Sequence, residues 1–212
     1  MKLYTHPPSP NCIKVMAVAN QLGLTLEQVS MDPADCRKPE YRAINPNQKV
    51  PTLQDEDYFL WESNAIMVYL AQKVRGHSLI PGTARNRVEL WRWMSWCMSH
   101  FTPTIRVLLH ERMVKPMVLG QATDELAVKR AEAAFHPLAR ILDEHLADRQ
   151  FVLGPKLSLA DFALAANLVY SHMARIPLEP YANLRAWYER IAALPSWQEA
   201  IPDMIPPVVQ AR

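Results

Sequence analysis

The chain has 212 residues, 50% of them hydrophobic and 21% charged, with a formal net charge of +2. That size and balance allow one large or two small domains with a sizeable core, and the lack of any block of like charge argues against nucleic acid or an acidic membrane as the main partner. Three scattered cysteines, an N-terminus broken by Pro7-Pro8, and no apolar run of the roughly 18 residues a membrane span needs together lead to the expectation of a cytoplasmic protein.

"MKLYT" alternates and predicts a strand. From Asn11 to Leu22 the apolar positions fit a helix stopped by Gly23. "LTLEQVSM" predicts a second strand and "KPEYRAI" a short helix. "KVPTLQ" and "YFLW" read as two strands across the turn-prone Asp55-Glu56-Asp57. "SNAIMVYLAQKV" is a helix with Ser63 as its expected N-cap. The order is β-α-β-α-β-β-α.

The Gly- and Pro-bearing stretch "RGHSLIPGT" follows, and after it strand signals stop. Residues 84–113 carry apolar side chains at spacings of three and four, with an expected kink near Pro103. Residues 123–147 predict a second long helix, kinked or restarted at Pro137. "LSLADFALAANLVYSHMARI" is apolar nearly all round and predicts one buried central helix. It opens on Ser158 and Asp161, spaced as a capping box. "NLRAWYERIAAL" and "SWQEAI" complete an all-helical half.

The five glycines form no dinucleotide or phosphate-binding loop, there is no serine-hydrolase elbow, and no histidine pair stands at metal-ligand spacing, so no metal is expected. Three stretches of the first half carry chemistry. In "HPPSPNCIKV", Ser9 and Asn11 stand where a loop becomes a helix, and unpaired N–H groups there favour an anion such as a thiolate. A plain Ser N-cap explains the same residues. In "QKVPTL", a cis Val50-Pro51 bond would turn the Val50 backbone outward to pair with an extended peptide, and an ordinary edge-strand start explains it equally. In "WESNAI", Glu62 suits an ammonium and Ser63, at a helix start, a carboxylate, or the two are a first-turn acid and a cap.

These stretches, with "NPNQKVPTLQDEDYFLWESNAIMVYLA" and "LSLADFALA", resemble the cytosolic glutathione S-transferases over the whole chain, in a serine/threonine-type pattern similar to the phi and nu classes. The resemblance implies an α+β, thioredoxin-like N-terminal domain (1–77), a linker (78–83) and an all-α C-terminal domain (84–212), assembled as a homodimer. It implies glutathione as co-substrate and conjugation of its thiolate to a small hydrophobic electrophile. Ser9 and Asn11 would stabilise the thiolate. Val50, before Pro51, would pair with the glutathione backbone. Glu62 and Ser63 would hold the γ-glutamyl group, and Arg37, Lys38 and Lys49 the glycine carboxylate. Met98, Phe101 and Ile105 are candidates for the electrophile pocket. Gln48 stands where many relatives have Gly, and Cys36 where phi enzymes have His. Tyr4 is a less favoured hydroxyl donor than Ser9, and Cys12 reads as a buried packing residue. Glutathione-dependent disulfide or peroxide reduction on the same site, and a non-catalytic ligand-binding or interaction module, remain alternatives.

Overall fold

A computed structural model describes residues 1–202. The first half forms β1 (Lys2–Thr5), α1 (Pro10–Gln21), β2 (Glu27–Ser30), α2 (Pro39–Ile44), β3 (Thr52–Asp55), β4 (Tyr58–Trp61) and α3 (Ser63–Lys73). The strands make one mixed sheet in the order β2-β1-β3-β4. β1 is parallel to β2 and antiparallel to β3, and β3 is antiparallel to β4. This is the expected α+β arrangement. Leu3 and Leu53 from the sheet, Ile13 and Val15 from α1, and Ile66, Met67 and Leu70 from α3 are fully buried or nearly so. Gly23 ends the α1 region at φ +68°, a left-handed position that costs glycine nothing.

The second half is helical. α4 (Ala84–Trp96) continues into a π-helical turn (Cys97–Phe101), α5 (Thr102–Leu109), a further π-helical segment (His110–Leu119) and a stop at Gly120. Pro103 has no N–H to return to the preceding turn. The interruption it predicts takes the form of the widened turn just before it, where the Thr102 N–H reaches back five residues to the Cys97 carbonyl.

α6 (Glu125–Leu146) does not restart at Pro137 but runs through it as one helix. Ala133, whose carbonyl would have received the missing Pro137 N–H, and Pro137 itself are both exposed, so water can take that carbonyl. The single long helix expected over "LSLADFALAANLVYSHMARI" is also absent. α7 (Leu159–Ala165) gives way to a 3₁₀ turn (Ala166–Leu168). The Asn167 side-chain amide donates to the Ala163 and Leu164 carbonyls at 3.0 and 3.3 Å, competing with the backbone donors that would extend the helix. α8 (Ala182–Ala192) and α9 (Pro195–Gln198) follow. Trp187, Phe101, Phe135, Phe162 and Leu90 form the buried centre of the helical unit.

The described chain divides into Met1–Ile80 with residues 193–202, and Pro81–Ala192. Within the first unit α9 packs on α1. Ser196 Oγ donates to Gln21 at 2.7 Å, Asn20 donates to the Ser196 carbonyl at 3.2 Å, and Trp197 is buried. Residues 203–212 lie outside the described residues. No helix among the described residues is long and apolar enough to cross a membrane.

Candidate functional site

Sheet register brings the three stretches to one place. Tyr4, near the end of β1, is opposite Thr52 at the start of β3, and Thr52 is opposite Trp61 at the end of β4. The loop after β1, the loop before β3 and the turn after β4 therefore leave the same end of the sheet. There, α1 and α3 both begin, and both direct unpaired N–H groups and the positive end of a helix dipole toward it. A direct bond joins them: the Ser63 hydroxyl donates to Asn11 Oδ1 at 3.2 Å, across 52 positions of sequence.

Ser9 is the N-cap of α1, but its side chain makes no capping bond to the helix backbone. Its own N–H bonds the His6 carbonyl at 2.8 Å, which sets the loop. Ser63 was expected to cap α3. The cap is instead Glu62, at φ +71° and ψ 108°, and Ser63 is the first helical residue, with its hydroxyl committed to Asn11. A non-glycine residue in that backbone region costs on the order of 1–3 kcal/mol and persists only where its surroundings fix it, often at a binding site. The Glu62 side chain is exposed.

The Val50-Pro51 peptide is cis. A hydrogen-bond network that sequence reasoning missed holds the loop before it. The Tyr41 hydroxyl donates to the Lys49 carbonyl at 2.7 Å and lies 2.8 Å from Thr52 Oγ1. The Asn45 amide donates to the same two oxygens, at 2.7 and 2.9 Å. Burial pushes the Tyr41 hydroxyl up to about 12, so it stays a donor at neutral pH. Met31, Cys36 and Tyr41 form a small buried cluster against which Val50 packs. The signal available was "EYRAINPN", of which only the helical part was predicted, within "KPEYRAI". Gln48 sits at φ +54°, so the loop keeps a left-handed residue where glycine would be unstrained.

The remaining candidates fall in different places. The Tyr4 hydroxyl donates to Gln54 Oε1 at 3.0 Å and is thereby tied to the sheet. Arg37, Lys38 and Lys49 carry exposed side chains. Lys38 is paired with Asp35 at 2.6 Å, which raises the lysine and holds the aspartate low. Cys12 is only 1% exposed, and burial pushes its thiol up against the hydrogen bonds that reach it. In the helical unit Phe101 and Ile105 are fully buried core residues, whereas Met98 is half exposed. Among the described residues, no group of three His, Cys, Asp or Glu side chains is placed to hold a metal ion.

The arrangement suits an extended, zwitterionic peptide with a soft anion at one end. It offers two helix N-termini, two hydroxyls, an exposed carboxylate and a cis-proline loop. Residues 1–72 match the family model for the glutathione S-transferase N-terminal domain, and residues 125–190 the model for the C-terminal domain. Glutathione S-transferase 3 of Zea mays is 34% identical, with 98% of this chain and 97% of that protein covered. A theta-class glutathione S-transferase from Xanthomonas axonopodis pv. citri, solved with glutathione bound, superposes with a TM-score of 0.83 at 30% identity, covering 94% of this chain and 96% of that one. Glutathione S-transferase I from maize, in complex with an atrazine glutathione conjugate, gives a TM-score of 0.86 at 26% identity, covering 94% and 95%. With two helix N-termini and a cis-proline loop gathered at one end of its sheet, this chain belongs to the glutathione S-transferase family.

Proposed function

We propose that this protein conjugates glutathione to hydrophobic electrophiles, with Ser9 as the hydroxyl that stabilises the glutathione thiolate. The observation that carries the assignment of Ser9 is its position. It caps α1 without a side-chain bond to the helix backbone, beside the Asn11–Ser63 bond that joins the starts of α1 and α3. A donor aimed at a developing or resting anion lowers the energy of that anion, and one pKa unit of thiol depression is worth about 1.4 kcal/mol.

In this reading the Ser63 hydroxyl and the α3 N-terminus hold the γ-glutamyl carboxylate and Glu62 its ammonium. Val50, next to the cis-proline, pairs with the peptide backbone, and Asn11 assists Ser9. Lys49, with Arg37 and Lys38, faces the glycine carboxylate. Met98 supplies exposed apolar surface for the electrophile. With an aryl chloride, the thiolate sulfur bonds to the ring carbon bearing chlorine, the C–Cl bond breaks and chloride leaves with the electron pair. No protein atom is covalently modified. The buried, upward-shifted Cys12 is poorly suited to act as a thiolate nucleophile, which supports conjugation over a protein-bound disulfide route. A homodimer in the cytoplasm completes the proposal, and analytical ultracentrifugation tests the dimer.

The test of the site is Ser9→Ala with glutathione and 1-chloro-2,4-dinitrobenzene. Loss of one charge-assisted hydrogen bond to the thiolate predicts a fall in kcat/KM of about ten- to a hundredfold near neutral pH. An unchanged kcat/KM removes Ser9 from this role.

A further inference from the structure

The parallel pairing of β1 with β2 runs out on a proline. Thr5 is opposite Ser30, so His6 comes opposite Met31. The Met31 N–H donates to the Thr5 carbonyl at 2.8 Å, which carries the ladder one step past both strands. At the other end Glu27, opposite Lys2, likewise donates to the Met1 carbonyl, at 3.1 Å. Continued in this evenly spaced pattern, the Met31 carbonyl would next receive the N–H of residue 7. That residue is Pro7, which has none. The His6 imidazole stands in for it: Nδ1 lies 3.0 Å from the Met31 carbonyl oxygen. A carbonyl only accepts, so Nδ1 carries the proton and donates. Protonation of the ring at Nε2 leaves that bond intact.

We propose that His6 is a positioning residue for Ser9: its Nδ1–H supplies the ladder bond that Pro7 cannot, and so pins the strand end from which a two-proline turn carries the Ser9 hydroxyl to the substrate sulfur. This rests on the reading of Ser9 as the thiolate donor. The His6 carbonyl accepts the Ser9 N–H at 2.8 Å, closing a four-residue turn with Pro7 and Pro8 at its centre. Each proline ring holds its own φ near one value, so little backbone freedom is left between His6 and Ser9. The His6 N–H donates to Cys12 Sγ at 3.4 Å, inside α1. His6 thus joins the end of β2 through its ring, α1 through its N–H and Ser9 through its carbonyl. Met31 is buried, so its carbonyl left without the imidazole carries a desolvation cost, and the loop moves to relieve it. A hydrogen bond weakens steeply with distance and angle, so a small shift of the turn is enough to weaken the bond from Ser9 to a thiolate. His6 exchanges no proton with the substrate in this role.

The test compares the full-length wild type with Ser9→Ala, His6→Ala and His6→Asn. Asparagine carries its amide N–H as many bonds beyond Cβ as histidine carries Nδ1, so it keeps the donor and removes the ring. Two readouts are taken: the pH dependence of kcat/KM with 1-chloro-2,4-dinitrobenzene, and ultraviolet titration of the thiol of enzyme-bound glutathione. In His6→Ala both midpoints are expected to rise by about half a unit to one unit, a roughly three- to tenfold loss of thiolate below them. His6→Asn is expected to return most of the way to the wild-type midpoint. A wild-type midpoint in His6→Ala overturns the proposal, even where Tm falls, because His6 then serves stability alone. So does a shift in His6→Asn as large as that in His6→Ala, which makes the ring itself the active part. His6→Leu replaces the alanine variant if that protein does not fold. If Ser9→Ala keeps the wild-type profile, the reading of Ser9 fails and takes this inference with it. A shifted Ser9→Ala profile beside an unchanged His6→Ala profile overturns the inference alone.

Discussion

Replacing Asp161 by Ala is expected to be among the most destabilising single changes in the helical unit. The carboxylate is fully buried and accepts four hydrogen bonds. Oδ1 takes the Val152 N–H at 2.8 Å and the Trp187 indole N–H at 2.9 Å, and Oδ2 takes the Ser158 N–H at 2.9 Å and the Ser158 hydroxyl at 2.7 Å. One side chain thus ties the start of α7 to the preceding turn and to α8. Burial pushes the carboxyl up, and the four donors oppose that. Alanine leaves three N–H groups without their acceptor, each at a cost of about 1–3 kcal/mol, while the Ser158 hydroxyl can re-aim. Relief of the carboxylate's own desolvation offsets part of this. The net loss is about 3–5 kcal/mol, or roughly a 10 °C fall in Tm for a chain of this length. Asp161→Asn keeps one oxygen and turns an NH₂ toward donors, so it should fall between wild type and alanine. Urea unfolding followed by circular dichroism, with calorimetric Tm, gives the ranking. An alanine variant within about 1 kcal/mol of wild type refutes the reasoning, because unsatisfied buried donors on that scale cannot be so cheap.

Glu62→Gln removes the charge proposed to face the glutathione ammonium. Glutathione affinity should fall about tenfold or more by calorimetry, and an unchanged Kd places the ammonium elsewhere. Gln48→Gly relieves a left-handed non-glycine residue and adds disorder to the unfolded chain, so stability should rise by at most about 0.5–1 kcal/mol; a clear fall in Tm contradicts the strain argument. His145 donates to the Val152 carbonyl at 2.8 Å and packs on Trp93, and burial lowers its pKa. The unfolded chain therefore binds the extra proton first. The histidine's contribution is complete above its ordinary value of about 6.5 and drains away as pH falls toward the lowered folded value. Denaturant midpoints at about pH 7.5 and pH 5.5 should differ less in His145→Gln than in wild type, and equal differences would remove His145 as a cause.

Much of the fold was legible because its signals are local. The apolar spacing of α1, the stop at Gly23 and the paired strands around Asp55-Glu56-Asp57 each express a rule acting over a few residues. The misreadings came where side-chain hydrogen bonds and packing decide. Ser63 looks like a cap in any window around it, but its hydroxyl is claimed by Asn11, 52 positions away, and Glu62 takes the cap instead. Asn167 ends α7 through its own side chain, against an apolar pattern that favoured continuation. "SWQEAI" announces a helix without saying which surface it meets, and the surface is α1.

The site was legible in a different way. Each of its stretches, taken alone, has a plain structural explanation: a serine cap, a strand-opening proline, a first-turn acid. The resemblance joined them, and the strand register gives a reason independent of it, since Tyr4, Thr52 and Trp61 are cross-strand neighbours and their loops have nowhere else to go. Cys12, expected as a packing residue, is almost fully buried at the start of α1. In a site where the substrate brings the nucleophile, the protein needs placed protons rather than reactive atoms.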